Sequence, residues 1–160
     1  MRSVCEIMQL DIDNFVEHPG KRFPIDIGLD AKRATEVSEN ATFIEDVRVS
    51  GDAYVQFTTL YLDTEIYTIV DQPCRRCLEP VREEVNLSEQ FRIDISEGET
   101  SIDLISHILG LITAALEPHP ICRSDCRGLC PVCGINLNEH PNHVCQERKE
   151  DNVRLRDFLK

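Results

Sequence analysis

Seven of the eight cysteines fall in two clusters whose spacing suits metal ligation. The first is Cys74-Arg-Arg-Cys77. The second is Cys122-x3-Cys126-x3-Cys130-Pro-Val-Cys133, followed by His143-x-Cys145. A two-residue gap lets both sulfurs of a CxxC pair face one ion while nearby amides hydrogen-bond them, and zinc takes four such tetrahedral ligands from Cys thiolate and His nitrogen. Pro131 stiffens the second CxxC turn, and Gly134 permits a positive φ just after it. Because 44 residues separate Cys77 from Cys122, a shared ion would join the middle of the chain to its later part.

Counting ligands sets the expected stoichiometry. Seven thiols and one imidazole make two closed sites, with His143 as the eighth ligand and His140 in reserve. The preferred division gives Cys74, Cys77, Cys122 and Cys126 to one ion. Cys130, Cys133, His143 and Cys145 then hold the other, within a span of 16 residues whose loop closes at small entropic cost. The alternative joins the two CxxC pairs as a zinc ribbon. Closed sites leave no coordination position for substrate, so both ions would be structural. Cys126-x3-Cys130-x2-Cys133 also matches the iron–sulfur spacing of radical enzymes that use S-adenosylmethionine, but nothing in this sequence could build the large barrel such chemistry needs. A structural iron–sulfur cluster is the competing occupant of a four-thiolate set, and free buried thiols are the blandest alternative.

Little else in the chain invites catalysis. His107 lies within an amphipathic segment, and His18 and His119 adjoin prolines. The acidic pairs Glu45-Asp46 and Glu83-Glu84 sit in strand-like runs as solvated faces, and Cys5 reads as a small strand residue. No nucleophile–base pair or phosphate-cradling glycine loop is present, so no enzyme activity is expected. No apolar run approaches the ~20 residues that span a bilayer, and Glu6 and Gln9 interrupt the apolar N-terminus. A cytoplasmic protein is expected, and in that reducing compartment these cysteines would bind metal rather than form disulfides.

The elements around the clusters read as an α+β chain: an antiparallel β-rich body with one main amphipathic helix and a C-terminal Cys-rich zinc-binding module. Val4–Leu10 is apolar enough for a short strand, and apolar–polar alternation marks strands at Arg22–Gly28 and Val81–Ile93. Runs of β-branched and aromatic residues mark Phe43–Ser50, Ala53–Tyr61 and Glu65–Val70, with a turn at Gly51-Asp52. The first CxxC falls at a hairpin tip. Asp11–His18 offers a helical turn, residues 30–40 a loop or frayed helix, and residues 94–100 an acidic linker. Ser101–Leu116 is the main helix, with Ile105, Ile108, Leu109, Ile112 and Leu116 on one face. Residues 151–160 show a short amphipathic pattern through Val153, Leu155, Phe158 and Leu159. The expected division is a β-rich body over 1–100 with the first knuckle, and a helix plus metal module over 101–160, the two integrated.

Charge is unevenly spread. Residues 1–120 hold 10 basic and 23 acidic side chains, a net of −13, whereas residues 121–160 hold 7 and 6, a net of +1. An acidic body repels phosphate backbones and attracts basic proteins. Arg75, Arg76, Arg123 and Arg127, beside the cysteines, are the candidate basic patch for RNA or a partner.

Cys-Arg-Arg-Cys-Leu-Glu-Pro-Val (74–81), the helix beginning at Ile102, and Cys122 through Asn138 together resemble the YceD family, the large ribosomal RNA subunit accumulation proteins. The resemblance covers nearly the whole chain. It implies a role in accumulation of 23S ribosomal RNA in bacteria and plastids. The implied partner is a basic large-subunit ribosomal protein or a pre-ribosomal particle, with rRNA contact as the second reading and no membrane or small-molecule substrate. Many relatives close the cysteine region with Cys-x-Cys, where this chain has His143-x-Cys145, which supports His143 as a substituted ligand.

Overall fold

In the computed structural model, residues 8–38 and 41–145 are described. Cys5, the first half of the strand expected from Val4, and the amphipathic pattern of residues 151–160 lie outside them. The chain forms two compact units. One takes the described residues up to Gln72 together with Val81–Pro118; the other takes Pro73–Pro80 and the described residues from His119 onward. That division departs from the expected boundary at residue 100. The main helix packs into the apolar core of the first unit, and the first CxxC groups with the later cysteines.

The first unit is built on a five-stranded sheet. Strand β1 is Gln9–Asp11, helix α1 Asp13–Glu17, β2 Phe23–Leu29, α2 Ala31–Val37 and β3 Thr42–Phe43. Then come β4 at Val47–Gln56, β5 at Thr59–Pro73, β6 at Pro80–Asp94, β7 at Ser101–Asp103 and α3 at Ile105–Ala115. The sheet runs β2-β4-β5, with β3 also against β5 and β6 pairing β5; β1 and β7 form a separate antiparallel pair. Cross-strand contacts Thr59–Asp94, Asp63–Gln90 and Asp71–Arg82 recede along β6 as β5 advances, so these strands run antiparallel.

Period-two patterning sorts the faces. Along β5, Leu60, Leu62, Ile66 and Val70 are buried, in register with Val55, Ala53 and Val49 of β4 and Phe43 of β3. This face joins one core with Met8, Ile12, Phe15, Ile102, Leu104, Ile108 and Ile112. Two threonines sit in the same buried row, and each hydroxyl donates to a main-chain carbonyl: Thr64 to Glu89 and Thr68 to Glu45. Burial of those hydroxyls is therefore compensated.

Several boundaries moved for identifiable reasons. Gly51 is no turn; β4 runs straight through it at φ +147°, and a β-carbon there would collide with the Asp63 carbonyl oxygen across the strand. The glycine serves close strand approach instead. The turn falls at Phe57-Thr58, since Gln56 pairs with Thr59, and the two runs expected as Ala53–Tyr61 and Glu65–Val70 regroup into β4 and a single 15-residue β5. Residues 31–37 form a helix because the Asp30 carboxylate accepts from the Lys32 and Arg33 amides. Ser101–Asp103, expected as helix, pairs with β1, and Asp103 accepts from the Ile105 amide where α3 starts.

Replacing Gly51 with Ala forces a side chain into both a backbone collision and an unfavourable φ. Urea unfolding of that variant is expected to show a loss on the order of 2 kcal/mol or more; an unchanged midpoint would contradict the close-approach account.

Candidate metal centres

All eight expected ligands lie in the second unit and gather in two groups. Cys74, Cys77, Cys122 and Cys126 bring their sulfurs within 4.8 Å of one another, and Cys130, Cys133, His143 and Cys145 do the same with their ligand atoms. In the first group the Cys74 and Cys126 sulfurs are 3.9 Å apart and those of Cys77 and Cys122 3.5 Å apart. In the second, His143 presents Nε2 at 3.2 Å from the Cys133 sulfur. His140 stands outside both groups. The two CxxC pairs face different centres, so the zinc-ribbon alternative is not the arrangement formed.

The two knuckles repeat one backbone design. The Cys74 amide donates to the Glu79 carbonyl, and the Cys74 carbonyl accepts from the Leu78 amide. Likewise the Cys130 amide donates to the Ile135 carbonyl, and its carbonyl accepts from Gly134. Each turn needs a left-handed residue after its second cysteine: Gly134 at φ +77° and Leu78 at φ +66°. Glycine takes that conformation freely, whereas leucine is strained by about 1–2 kcal/mol. Leu78 is also 64% exposed, so little packing compensates.

Amides pointing at sulfur prepare particular thiols for the ionised form. Burial pushes the Cys74 thiol up, but N–H groups of Cys122, Cys77 and Arg76 outweigh it and bring it down to about 6. The Asn138 side-chain amide, 3.3 Å from the Cys126 sulfur, lowers that thiol. Amides of Cys133 and Val132 bring Cys130 down to about 6. Burial raises Cys77. It also takes Cys122 to about 12 and Cys145 to about 11, where cysteine neighbours add to the effect. Crowded thiolates repel one another, and a divalent cation at the centre removes that penalty. Four thiolates, or three with one imidazole, are donor sets of closed structural zinc sites, so the residues present fit such an ion.

Arg76 connects the two centres. Its amide approaches the Cys74 sulfur at 3.4 Å, its carbonyl accepts from the Leu129 amide, and its Nη1 donates to the Cys126 carbonyl at 3.0 Å. Gly128, at φ +76°, lies so close that a β-carbon would sit 2.9 Å from the Arg76 carbonyl oxygen. The segment Cys126–Cys130, with one ligand of each centre at its ends, is thus laid against the first knuckle. Arg127 donates to the Pro141 carbonyl at 3.0 Å and Arg123 sits 3.5 Å from Asp125. Of the four expected contact arginines, Arg76 and Arg127 therefore hold the module together, while among the described residues Arg75 makes only a main-chain bond to Pro120. Asn136 and Asn138 were not singled out from sequence. Asn138 bridges the Arg127 amide and the Cys126 sulfur, and Asn136 caps the Asn138 amide and reaches Glu79. Their Asn-x-Asn spacing after a knuckle was the available signal.

Two outcomes follow for the module. Leu78→Gly should raise the unfolding free energy by about 1 kcal/mol, read by denaturant titration; a loss would show that the left-handed leucine is not strained. A strong chelator should lower the melting temperature and release two equivalents of metal to a colorimetric indicator. Unchanged melting after complete metal removal would separate the ions from stability.

No protein-family model matches the chain, and no solved structure matches it. An uncharacterised protein of Mycobacterium tuberculosis is 32% identical over 165 residues, spanning 89% of this chain and 76% of that protein. The large ribosomal RNA subunit accumulation protein YCED homolog 1, chloroplastic, of Zea mays is 26% identical over 144 residues, or 64% of this chain and 49% of that protein. Its Arabidopsis thaliana namesake is 27% identical over 145 residues, covering 65% and 45% respectively. The chain spans about half the length of these plant relatives. Among the described residues no helix is long and apolar enough to cross a membrane. By these named relatives, the chain belongs to the YceD family.

Proposed function

We propose that this chain is a non-catalytic, cytoplasmic factor in large-subunit ribosome biogenesis. It supports accumulation of 23S ribosomal RNA by holding a basic ribosomal protein or an assembly intermediate. The observation that carries this reading is the charge asymmetry: a net of −13 over residues 1–120 attracts a basic partner and speeds its capture. The plant relatives' name, large ribosomal RNA subunit accumulation protein, supplies the biological setting. Two structural zinc ions, one held by Cys74, Cys77, Cys122 and Cys126 and the other by Cys130, Cys133, His143 and Cys145, order the module.

The closed donor sets favour a structural role over catalysis, since no coordination position is left for substrate. RNA recognition by the arginine-bearing knuckles is the weaker version, because Arg76 and Arg127 already serve the module's own backbone. Association with a purified basic large-subunit protein should slow by about tenfold or more between low and high salt. Rates indifferent to salt would contradict the electrostatic reading. Purified metal-loaded protein is expected to leave precursor RNA intact; cleavage would overturn the non-catalytic assignment.

A further inference from the structure

The outward face of the five-stranded sheet carries a row of side chains that the core does not use. Tyr54 of β4 is in register with Tyr61 of β5, and their rings stack at 4.9 Å with 8° between planes. The Arg22 guanidinium lies 4.9 Å over the Tyr54 ring and 3.5 Å from Asp63. The flanking pairs Thr59–Asp94 and Asp63–Gln90 put Arg92 across from Tyr61 at the other end. The row therefore reads Arg22, Tyr54, Tyr61, Arg92, from the residue before β2 across to β6.

Two features of this row and one of the adjoining hairpin turn point to a binding site. A cavity of about 280 Å³ opens beside it, lined by Tyr61, Asp63, Gln90 and Arg92 among others. That falls just below the ~300–1,000 Å³ of small-ligand pockets, a size for one planar group rather than a whole cofactor. Arg92 is exposed and has no ion-pair or hydrogen-bond partner among the described residues, in a chain with a net charge of −12. Phe57, first residue of the two-residue turn joining β4 to β5, is 91% exposed and held at φ +57°. Two-residue hairpin loops ordinarily give such a position to glycine or asparagine. A strained, solvent-facing phenylalanine is explained by a partner rather than by the fold.

We propose that this face docks single-stranded RNA, with one base stacking on Tyr61, a neighbour on Phe57, and phosphates meeting Arg22 and Arg92. This rests on the ribosomal role proposed above and names the chemistry by which the protein grips its particle. Aromatic side chains on a sheet, flanked by guanidinium groups, are a recurrent platform for unpaired bases. A basic peptide fits the same spot poorly, because Arg22 already fills the cation position over Tyr54 and pairs with Asp63, while Arg92 would repel a second cation. The carboxylates beside the row are Asp63, paired with Arg22, Asp52 opposite it, and Asp94, which accepts from Thr59. Stacking is indifferent to net charge, and the more distant acidic residues, beyond ~8 Å, are screened at physiological ionic strength. Gln90 Oε1, which accepts no hydrogen bond among the described residues, and the remaining lone pairs of Asp63, whose oxygens already meet Gln90 Nε2 and Arg22, favour a base edge that donates, for which guanine is best equipped.

The test is fluorescence anisotropy of full-length, metal-loaded protein with a short labelled oligouridine carrying one central guanosine. Tyr61→Ala is expected to weaken binding roughly five- to 150-fold, and Tyr61→Phe to keep most of the affinity. Phe57→Gly should weaken binding without lowering the melting temperature, an outcome that a purely structural phenylalanine would not give. Arg92→Gln should flatten the salt dependence by about 0.7 in log–log slope. The guanosine oligomer should bind more tightly than the all-uridine one; equal affinity would overturn the role given to Asp63. The proposal fails if the unaltered protein does not bind the oligomer. It fails equally if Tyr61→Ala, with metal content and melting intact, binds it as well as the unaltered protein, or loses a basic ribosomal protein instead. Co-sedimentation with large-subunit precursors separates the two levels. Unaltered protein that binds RNA through Tyr61 but never sediments with precursors would retain this site and refute the ribosomal role. Tyr61→Ala protein that sediments normally and binds RNA normally would do the reverse.

Discussion

Four sulfurs drawn from two stretches of chain 44 residues apart form the constraint on which the second unit depends. Bringing Cys74 and Cys77 to Cys122 and Cys126 closes a long loop, at an entropic cost of roughly 3 kcal/mol before any constant is added. Packing four thiols within 4.8 Å adds a repulsion that grows as they ionise. A structural zinc ion would supply about 10–16 kcal/mol in a small module, enough to outweigh both. The chain prepares for the ion with amides aimed at Cys74 and the Asn138 side chain aimed at Cys126.

The two centres are joined through backbone rather than through shared ligands. Arg76 fastens to Cys126 and Leu129, so the knuckle that serves the first centre also sets where Cys130 begins the second. The ladder of the second knuckle then continues through the Leu129–Asn136 bridge. The first unit is organised differently. One face of its sheet is committed to a continuous apolar core, and the other is left to aromatic and charged side chains.

Ligand identity was legible because cysteine spacing has few meanings, and the 16-residue span from Cys130 to Cys145 favoured the local pairing that the structure brings together. The faces of β4, β5 and α3 were legible from alternation and from the Ile108–Leu109–Ile112 stripe. Turn placement was harder. Gly51-Asp52 has turn chemistry but serves close strand contact, whereas Phe57-Thr58 has none and makes the turn. Leu78 similarly occupies a position where sequence logic expects glycine. Tertiary context decides such cases: the β-carbon collision at Gly51 depends on Asp63, across the hairpin. Ser101–Asp103 continued the helical apolar pattern, and its pairing with β1 lay beyond any local signal. The arginines near the cysteines looked like a surface patch because sequence proximity does not show that Arg76 and Arg127 point their donors at backbone carbonyls.

The central claim is that two closed sets of ligands each hold an ion. Native mass spectrometry of full-length protein, purified without chelators, tests it most directly. The account predicts a mass excess of two zinc ions, falling to one when Cys130 and Cys133 are both replaced by Ser. A metal-free mass, or a single ion that survives loss of either foursome, would contradict it.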